Sequence, residues 1–512
     1  MRFSEWLYER PDYAAIKNNL ADYKKRLLNA FSYEELRDVW LAVKAEVEYM
    51  EYKEEIIYIR HLCGINYEES LKEVEIQNLQ DPEIYELRDE CDLIVRNSPY
   101  AEKIKDEFGE MVFWGINSGK PAKNSYSTRL QSKELQLKMQ YRQLMASKDP
   151  DENALFNIFE QMIETRIELA DSMGYKSYTE LGYHIQKRYD YGADELFYFR
   201  NQVCNFITPV CNEIKQNGID IDLSYPKAVV TDTKSLISAI ISMFKDISDE
   251  AGSYIEEVSQ KGLYDLELRK NKRRNLFTCC MLPYEKLPFI IGNYTGNGME
   301  TGYVVHELGH GFAFYTAART QPLYEMHRSS PSVNEIHSKT MEHFMYPYLE
   351  LFVGDKRKEY IRNHLMQQLE NMTYRCAIDE FEHTVYDKQR RSKKQICELW
   401  IEIRHKYMPW KKYDKKEIEQ GVCWPRQTHI VESPFYYIEY DIAQVSTYEF
   451  YNKMKDNPKQ AWADYMQLCR AGGSKSYLNL LGAANLSNPF LGNTIEKVFR
   501  PVIDELCLYT KI

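Results

Sequence analysis

The sequence predicts a mostly α-helical fold with one small β element, and three observations carry that reading. Glycine and proline number 22 and 18 in 512 residues, too few for an all-β chain built on tight turns. Leu36, Val39, Trp40, Val43, Val47 and Met50 recur at spacings of three and four, the period of an amphipathic helix. One stretch differs: Phe277-Thr278-Cys279-Cys280 and Pro288-Phe289-Ile290-Ile291 are short β-favouring runs bounded by Pro and Gly, which predicts a small sheet within 275–295.

The elements follow in order. Ser32 with Glu35 three residues on has the capping-box order and opens a helix over Tyr33–Ile59. Tyr67–Asn97 reads as helix interrupted near Pro82, because proline removes a backbone donor. Tyr100–Ile116 reads as helix ended by Gly119 and Pro121, Pro121–Lys133 as a polar loop or short hairpin, and Glu134–Met145 as mixed periodicity. A turn at Asp149–Asp151 precedes helices over Asn153–Met173, Ser177–Arg188 and Ala193–Asn217. After the β stretch, helices continue to the end apart from a loop at Gly472–Gly473. There is no internal repeat. A boundary near residue 150 divides an N-terminal helical region, 1–150, from a catalytic region, 151–512.

Composition narrows the function classes. The formal charge of −11 disfavours nucleic acid, since phosphate contacts need a basic surface. Hydrophobic residues at 44 % and charged residues at 28 % are globular proportions, which excludes a disordered chain. The 41 tyrosines suggest aromatic walls with polar tips. Eleven cysteines, an odd number without a C-x-x-C, read as free thiols in a reducing compartment. The N-terminus lacks an apolar signal core, and the apolar run at Ser235–Phe244 is about ten residues, short of a membrane span. The expectation is a cytoplasmic protein with no membrane or nucleic-acid partner.

The chemistry concentrates at His306-Glu307-Leu308-Gly309-His310. Residues four apart on a helix share a face, so both imidazoles can reach one zinc ion, and Glu307 beside them can take a proton from water. Apolar flanks, Val304-Val305 and Phe312 with Phe314, bury this helix, where two histidines need a reason. A catalytic zinc takes a third protein ligand. The next helical segment, Pro331–Leu349, offers Glu335 as that ligand. Glu342, two turns on along the same face, can accept a hydrogen bond from a ligand imidazole. His337 and His343 lie off that face and read as structural. No G-x-S-x-G occurs, which disfavours a covalent serine mechanism.

The HELGH helix followed by NEIHSKTMEHF resembles the M3 family of zinc oligopeptidases, most closely its oligoendopeptidase F and Pz-peptidase branch. FTCCMLPYEKLPFIIGNYTGNGMETGYVVHELGH upstream, IELADSMGYKSYTELGYHIQKRYDY before it, and THIVESPFYYIEYDIAQ and AGGSKSYLNLLGAANLSNPF downstream are similar to segments of that family. The match covers roughly residues 150–512; the N-terminal part agrees in helical character more than in motif. The resemblance implies a two-lobed, prolate helical zincin with a deep substrate channel and a small sheet beside the zinc helix. It implies one zinc per chain on His306, His310 and Glu335, with Glu307 as the base. It further implies that His429, Tyr436 and Tyr440 steady substrate and oxyanion, with Tyr437 a rival in the same segment and Gly472–Gly473 a substrate-side loop. Phe435–Tyr440 is expected on a helix, which puts the Tyr436 and Tyr440 hydroxyls in one space, with His429 on the loop before it. The implied activity is hydrolysis of internal bonds in short oligopeptides. An exopeptidase with the same zinc, or a non-catalytic peptide-binding protein, are the alternatives. An exopeptidase needs a fixed charge to hold a peptide terminus, which the sequence does not reveal.

Overall fold

Asp12 and Ser32 open the first two helices by accepting from the backbone N–H of Ala15 and Glu35. Helices α1 (Tyr13–Leu28), α2 (Tyr33–Leu62) and α3 (Tyr67–Arg96) pack around Leu20, Trp40, Val43, Met50, Ile84 and Val95. The Trp40 indole donates to Asp92 at 2.7 Å, so the polar end of that ring is satisfied inside the core. This is the computed structural model of the chain, and it describes residues 3, 6–114, 125–147, 150–217, 225–274, 276–387, 391–412 and 426–510.

Four sequence expectations change here. Pro82 lies inside α3 without ending it; packing on α1 and α2 carries the helix across the missing donor. The helix at Ala101–Phe108 stops at Gly109, whose φ of +97° leaves the helical region, and a short 3₁₀ turn, Glu110–Phe113, follows. Ser125–Met145 is helical where a loop is expected over 121–133, and its Leu130, Leu137 and Tyr141 are buried in the larger core. The part of that expectation on residues 121–124 lies outside the described residues. The expected helix Ala193–Asn217 is divided by a π turn at Val203–Ile207.

The larger core holds the rest of the chain. Three strands, β1 (Tyr264–Glu267), β2 (Thr278–Leu282) and β3 (Leu287–Tyr294), form a sheet in the order β1-β3-β2. β3 is buried along its whole length, parallel to β1 and antiparallel to β2, with Cys280 opposite Phe289. β2 is therefore an edge strand. Helix α4 (Gly298–Thr320), capped by Asn297 and Glu300, packs on β3 and β2. It also packs on α5 (Pro331–Phe344) and α8 (Pro458–Ala471). α6 (Arg357–Val385) and α7 (Glu439–Asp456) complete the support, with α7 against α5. The fold is mostly α and two-lobed. Leu323 and Met326, between α4 and α5, join the N-terminal core. Among the described residues no helix is long and apolar enough to cross a membrane.

Candidate metal centre

α4 and α5 cross at a glycine. A Cβ on Gly309 would lie 2.8 Å from the Ser338 Cα and 2.9 Å from the Met341 Cβ, closer than carbon atoms pack. The missing side chain lets the two helices approach until His306 and His310 on one face Glu335 on the other. One ligand atom from each of the three lies within 4.8 Å of the others. His306 Nε2 is 3.4 Å and His310 Nε2 3.8 Å from Glu335 Oε2. Tetrahedral ligands about 2 Å from an ion stand about 3.3 Å apart, so two nitrogens and one oxygen at this spacing fit a zinc ion with an open fourth position.

The surrounding bonds orient these donors. His306 Nδ1 is 2.7 Å from Glu342, a group with only acceptors when ionised, so Nδ1 carries a proton and Nε2 is the nitrogen left to face Glu335 and to bind a metal once its own proton is lost. The other Glu342 oxygen is 2.9 Å from His364 Nε2, and His364 Nδ1 is 2.6 Å from the Tyr346 hydroxyl. The Tyr436 hydroxyl donates to Glu335 at 2.9 Å. Burial favours the neutral His306 ring, yet its hydrogen bonds to Glu335 and Glu342 outweigh burial and lift its pKa to about 10. Glu335 is held at about 2: burial alone would raise it, and the His306 hydrogen bond with the two histidine charges reverses that. Two carboxylates crowd one imidazole, an imbalance a divalent cation corrects. Glu307 projects into the same cavity, and burial pushes its pKa up to about 7.

The cavity is walled by Phe277, Thr278, Cys279 and Met281 at the β2 edge, and by Glu307, Tyr436, Tyr440 and Gly472 with the three donors. His429 and Tyr437 adjoin it through their ring contacts with Tyr436 and Tyr440. His429 stacks on Tyr437 with ring centroids 4.2 Å apart, and burial pushes its pKa down to about 4. Tyr436 and Tyr440 meet edge to face at 5.6 Å.

Of the expected helix over Phe435–Tyr440 only Glu439 and Tyr440 are helical. A short helix spans Thr428–Glu432 and contains His429, the chain turns, and α7 begins at Glu439. Phe435 takes φ of +66°, its N–H donates to Glu382 at 2.8 Å, and its carbonyl accepts from Arg188. Gly182 leaves room for the Phe435 ring, since a Cβ there would lie 2.5 Å from it. Arg188 and Glu439, both fully buried, pair at 2.6 Å and fix the turn to the start of α7. Tyr436 and Tyr440 thus share a space through a turn rather than through helical register.

Gly472 has φ of +50°, and its Cβ would strike the Met326 carbonyl; the Gly473 N–H donates to that carbonyl at 2.8 Å. The loop is seated against Met326–Ser329. His337 and His343 stay outside the donor set: His337 lies 3.5 Å from the Cys469 sulfur, and His343 stacks on Tyr451. Sequence reasoning misses His364, Arg188 and Arg375. His364 leaves only a faint signal, a histidine four residues before Gln368 on one helix face. Arg375 stands over the rings of Tyr437 and Tyr440 and pairs with Asp441 at 3.0 Å.

Residues 243–498 match the family described as Peptidase family M3, and residues 3–119 match the Peptidase M3 N-terminal domain. Oligopeptidase PepF of Bacillus subtilis is 25 % identical over 268 residues, which is 51 % of this chain and 39 % of the relative. An oligoendopeptidase F homolog of Borreliella burgdorferi is 26 % identical over 234 residues, 44 % of this chain and 39 % of that protein. The matched segments thus span well under half of each curated relative. A solved structure of Pz peptidase A with an inhibitor superposes with a TM-score of 0.90 at 26 % identity, covering 99 % of both chains. With half the chain matched by the peptidase model and its companion N-terminal domain matched in order, this chain belongs to peptidase family M3, on the oligoendopeptidase F and Pz-peptidase branch.

Proposed function

We propose that the chain is a zinc-dependent endopeptidase that hydrolyses internal bonds of short oligopeptides. The observation that carries this is the convergence of His306, His310 and Glu335 with the Glu307 carboxylate in one cavity. Zinc bound there supplies Lewis acidity, lowering the pKa of a water toward about 7 and polarising the scissile carbonyl. Glu307 accepts the proton of the attacking water and delivers it to the leaving amine nitrogen, a contribution of about 10²–10⁴ in rate. The Tyr440 hydroxyl donates to the developing oxyanion, worth about 10²–10³ for one donor. Tyr436 is the weaker candidate for that role because its hydroxyl already donates a hydrogen bond to Glu335. His429 positions the tyrosine segment from behind by stacking on Tyr437. Glu342, backed by His364, keeps His306 in the tautomer that binds metal.

The test is an internally quenched oligopeptide with the product masses determined, beside the metal content of the purified protein. The reading expects internal cleavage that stops with a chelator and returns with zinc. Removal of single terminal residues would favour the exopeptidase alternative, and binding without cleavage in zinc-loaded protein would favour the non-catalytic one.

A further inference from the structure

Arg328 lies seven residues before Glu335, in the segment that joins the two lobes. Its side chain lines the cavity that holds His306, Glu307, His310 and Glu335. It also lines the adjoining chamber, where Lys44, Glu48, Glu51 and Arg88 of the N-terminal lobe face Lys187 and Glu325. Arg328 remains open to solvent although protein surrounds it, the condition of a group inside a cleft rather than on a convex surface.

The charges around it are mostly matched. Lys44 pairs with Glu325 at 2.6 Å and Asp92 at 2.8 Å, Arg88 with Asp89 at 2.7 Å, and Glu51 accepts from Tyr85 at 3.0 Å. Arg328 and Lys187 are not matched: among the described residues no carboxylate lies within 4.0 Å of either. Glu55, the acid that most influences Arg328, sits against Cys280 and Met281 of β2 instead. Lys187 holds φ of +56°, a conformation rare for a lysine, and faces the same chamber. Arg328 and Lys187 repel each other in this recess, and Glu48 and Glu51, which share it, and Glu55 nearby offset part of that charge without pairing with either cation. An anion entering between them gains attraction from both, and a guanidinium presents a fork that matches a carboxylate.

We propose that Arg328, assisted by Lys187, binds a carboxylate of the peptide lying in the cleft, either its C-terminal group or an acidic side chain. The proposal rests on the peptidase reading. It adds that cleavage is registered from an anionic anchor, so that cuts fall at a fixed distance from that group. An endopeptidase can use such an anchor without becoming an exopeptidase, because Arg328 borders both cavities and Lys187 holds the carboxylate on the side of the adjoining chamber.

Two peptide pairs separate the sources. In one pair the C-terminus is a free acid or an amide; in the other, Asp and Glu side chains are replaced by Asn and Gln. The carboxylate-bearing member of at least one pair should show a KM about tenfold lower with kcat little changed, about 1.4 kcal/mol in binding. Arg328→Gln should remove that preference, Lys187→Gln reduce it, and Arg328→Lys restore part of it. The pair that responds identifies the anchoring carboxylate. Equal KM values within both pairs for the native protein, or a preference kept by Arg328→Gln, overturns the proposal. Equilibrium binding of the same peptides to zinc-loaded Glu307→Gln protein reads the preference without turnover. If the native protein cuts no peptide, the peptidase reading fails, while the binding comparison still decides the role of Arg328.

Discussion

The Glu342 carboxylate lies 2.7 Å from Nδ1 of His306, and that single contact sets which ring nitrogen faces the metal donors. Glu342→Gln presents either an oxygen or an NH₂ group to the ring and no longer enforces the tautomer. Zinc affinity should fall by about 10–100-fold, the usual cost of losing such a partner. His364→Ala should lower it in the same direction by less, since His364 touches Glu342 rather than His306. Zinc titration against a competing chelator measures both.

Glu335 and Glu307 are separable by what their amides keep. Glu335→Gln replaces an anionic donor with a neutral one and should lose zinc on dialysis. Glu307→Gln should keep zinc and peptide affinity while turnover drops by about 10²-fold or more, because an amide accepts no proton. Metal content and single-turnover rate on the same samples decide it; zinc loss in Glu307→Gln would assign that residue a structural role.

In the tyrosine segment the order of damage should be Tyr440, then Tyr436, then Tyr437. Tyr440→Phe removes a hydroxyl that lines the cavity, and kcat should fall by about 10²-fold with zinc retained. Tyr436→Phe removes a donor to Glu335, so it should also weaken metal binding. Tyr437→Phe should do least, because its ring stacks on His429 and the stacking does not need the hydroxyl. Steady-state kinetics with metal content of each variant test the order.

Gly309→Ala places a methyl group against Ser338 and Met341 and forces α4 from α5. Stability should fall by about 1–3 kcal/mol, the usual cost of overpacking, and zinc affinity should fall with it. Denaturant unfolding with and without zinc measures the two effects separately.

The N-terminal lobe carries a pH dependence of its own. Burial and the neighbouring Asp81 raise Glu54 to about 9 from an ordinary value of 4.5. A pKa raised by folding means that the folded state holds the proton more tightly. The stability it contributes is complete below about 4.5 and is lost as pH rises through about 9. Glu54→Gln needs no proton, so the difference in Tm between native protein and variant should shift in favour of the variant as pH rises. A constant difference from about pH 5 to pH 9 would contradict the raised pKa of Glu54.

How much of this is legible in the sequence depends on whether the controlling contacts are local. The His306–His310 face follows from helical period alone, and so does the placing of Glu335 and Glu342 on one side of α5. The start of α2 is equally readable, because Ser32 caps it through a residue three positions away. Phe435 is not readable. Its left-handed backbone is held by Glu382, Arg188 and the space at Gly182, all distant in sequence, and it converts an apparent helix into a turn. The helix at Ser125–Met145 escapes for the same reason: its polar first turns look like loop, and its anchors to the core, Leu130, Leu137 and Tyr141 with Leu144 and Met145 beside them, show only in the fold. Arg328 carries no signal, since nothing in a sequence distinguishes an arginine without a partner from one that has found one.

The edge position of β2 has a consequence for what the cleft can recognise under the proposed reading. An edge strand offers amide and carbonyl groups to a further strand, and here Thr278, Cys279 and Met281 of β2 border the cavity, with the Met281 N–H already taken by Glu55. A peptide laid beside it is read through its main chain, as an added strand, with its side chains left to the surrounding walls. Selection then acts on backbone availability: an extended segment with free N–H groups is admitted, whereas a proline or an N-methylated residue at a pairing position is refused. A folded protein, whose main chain is already committed to its own hydrogen bonds, has no such segment to offer.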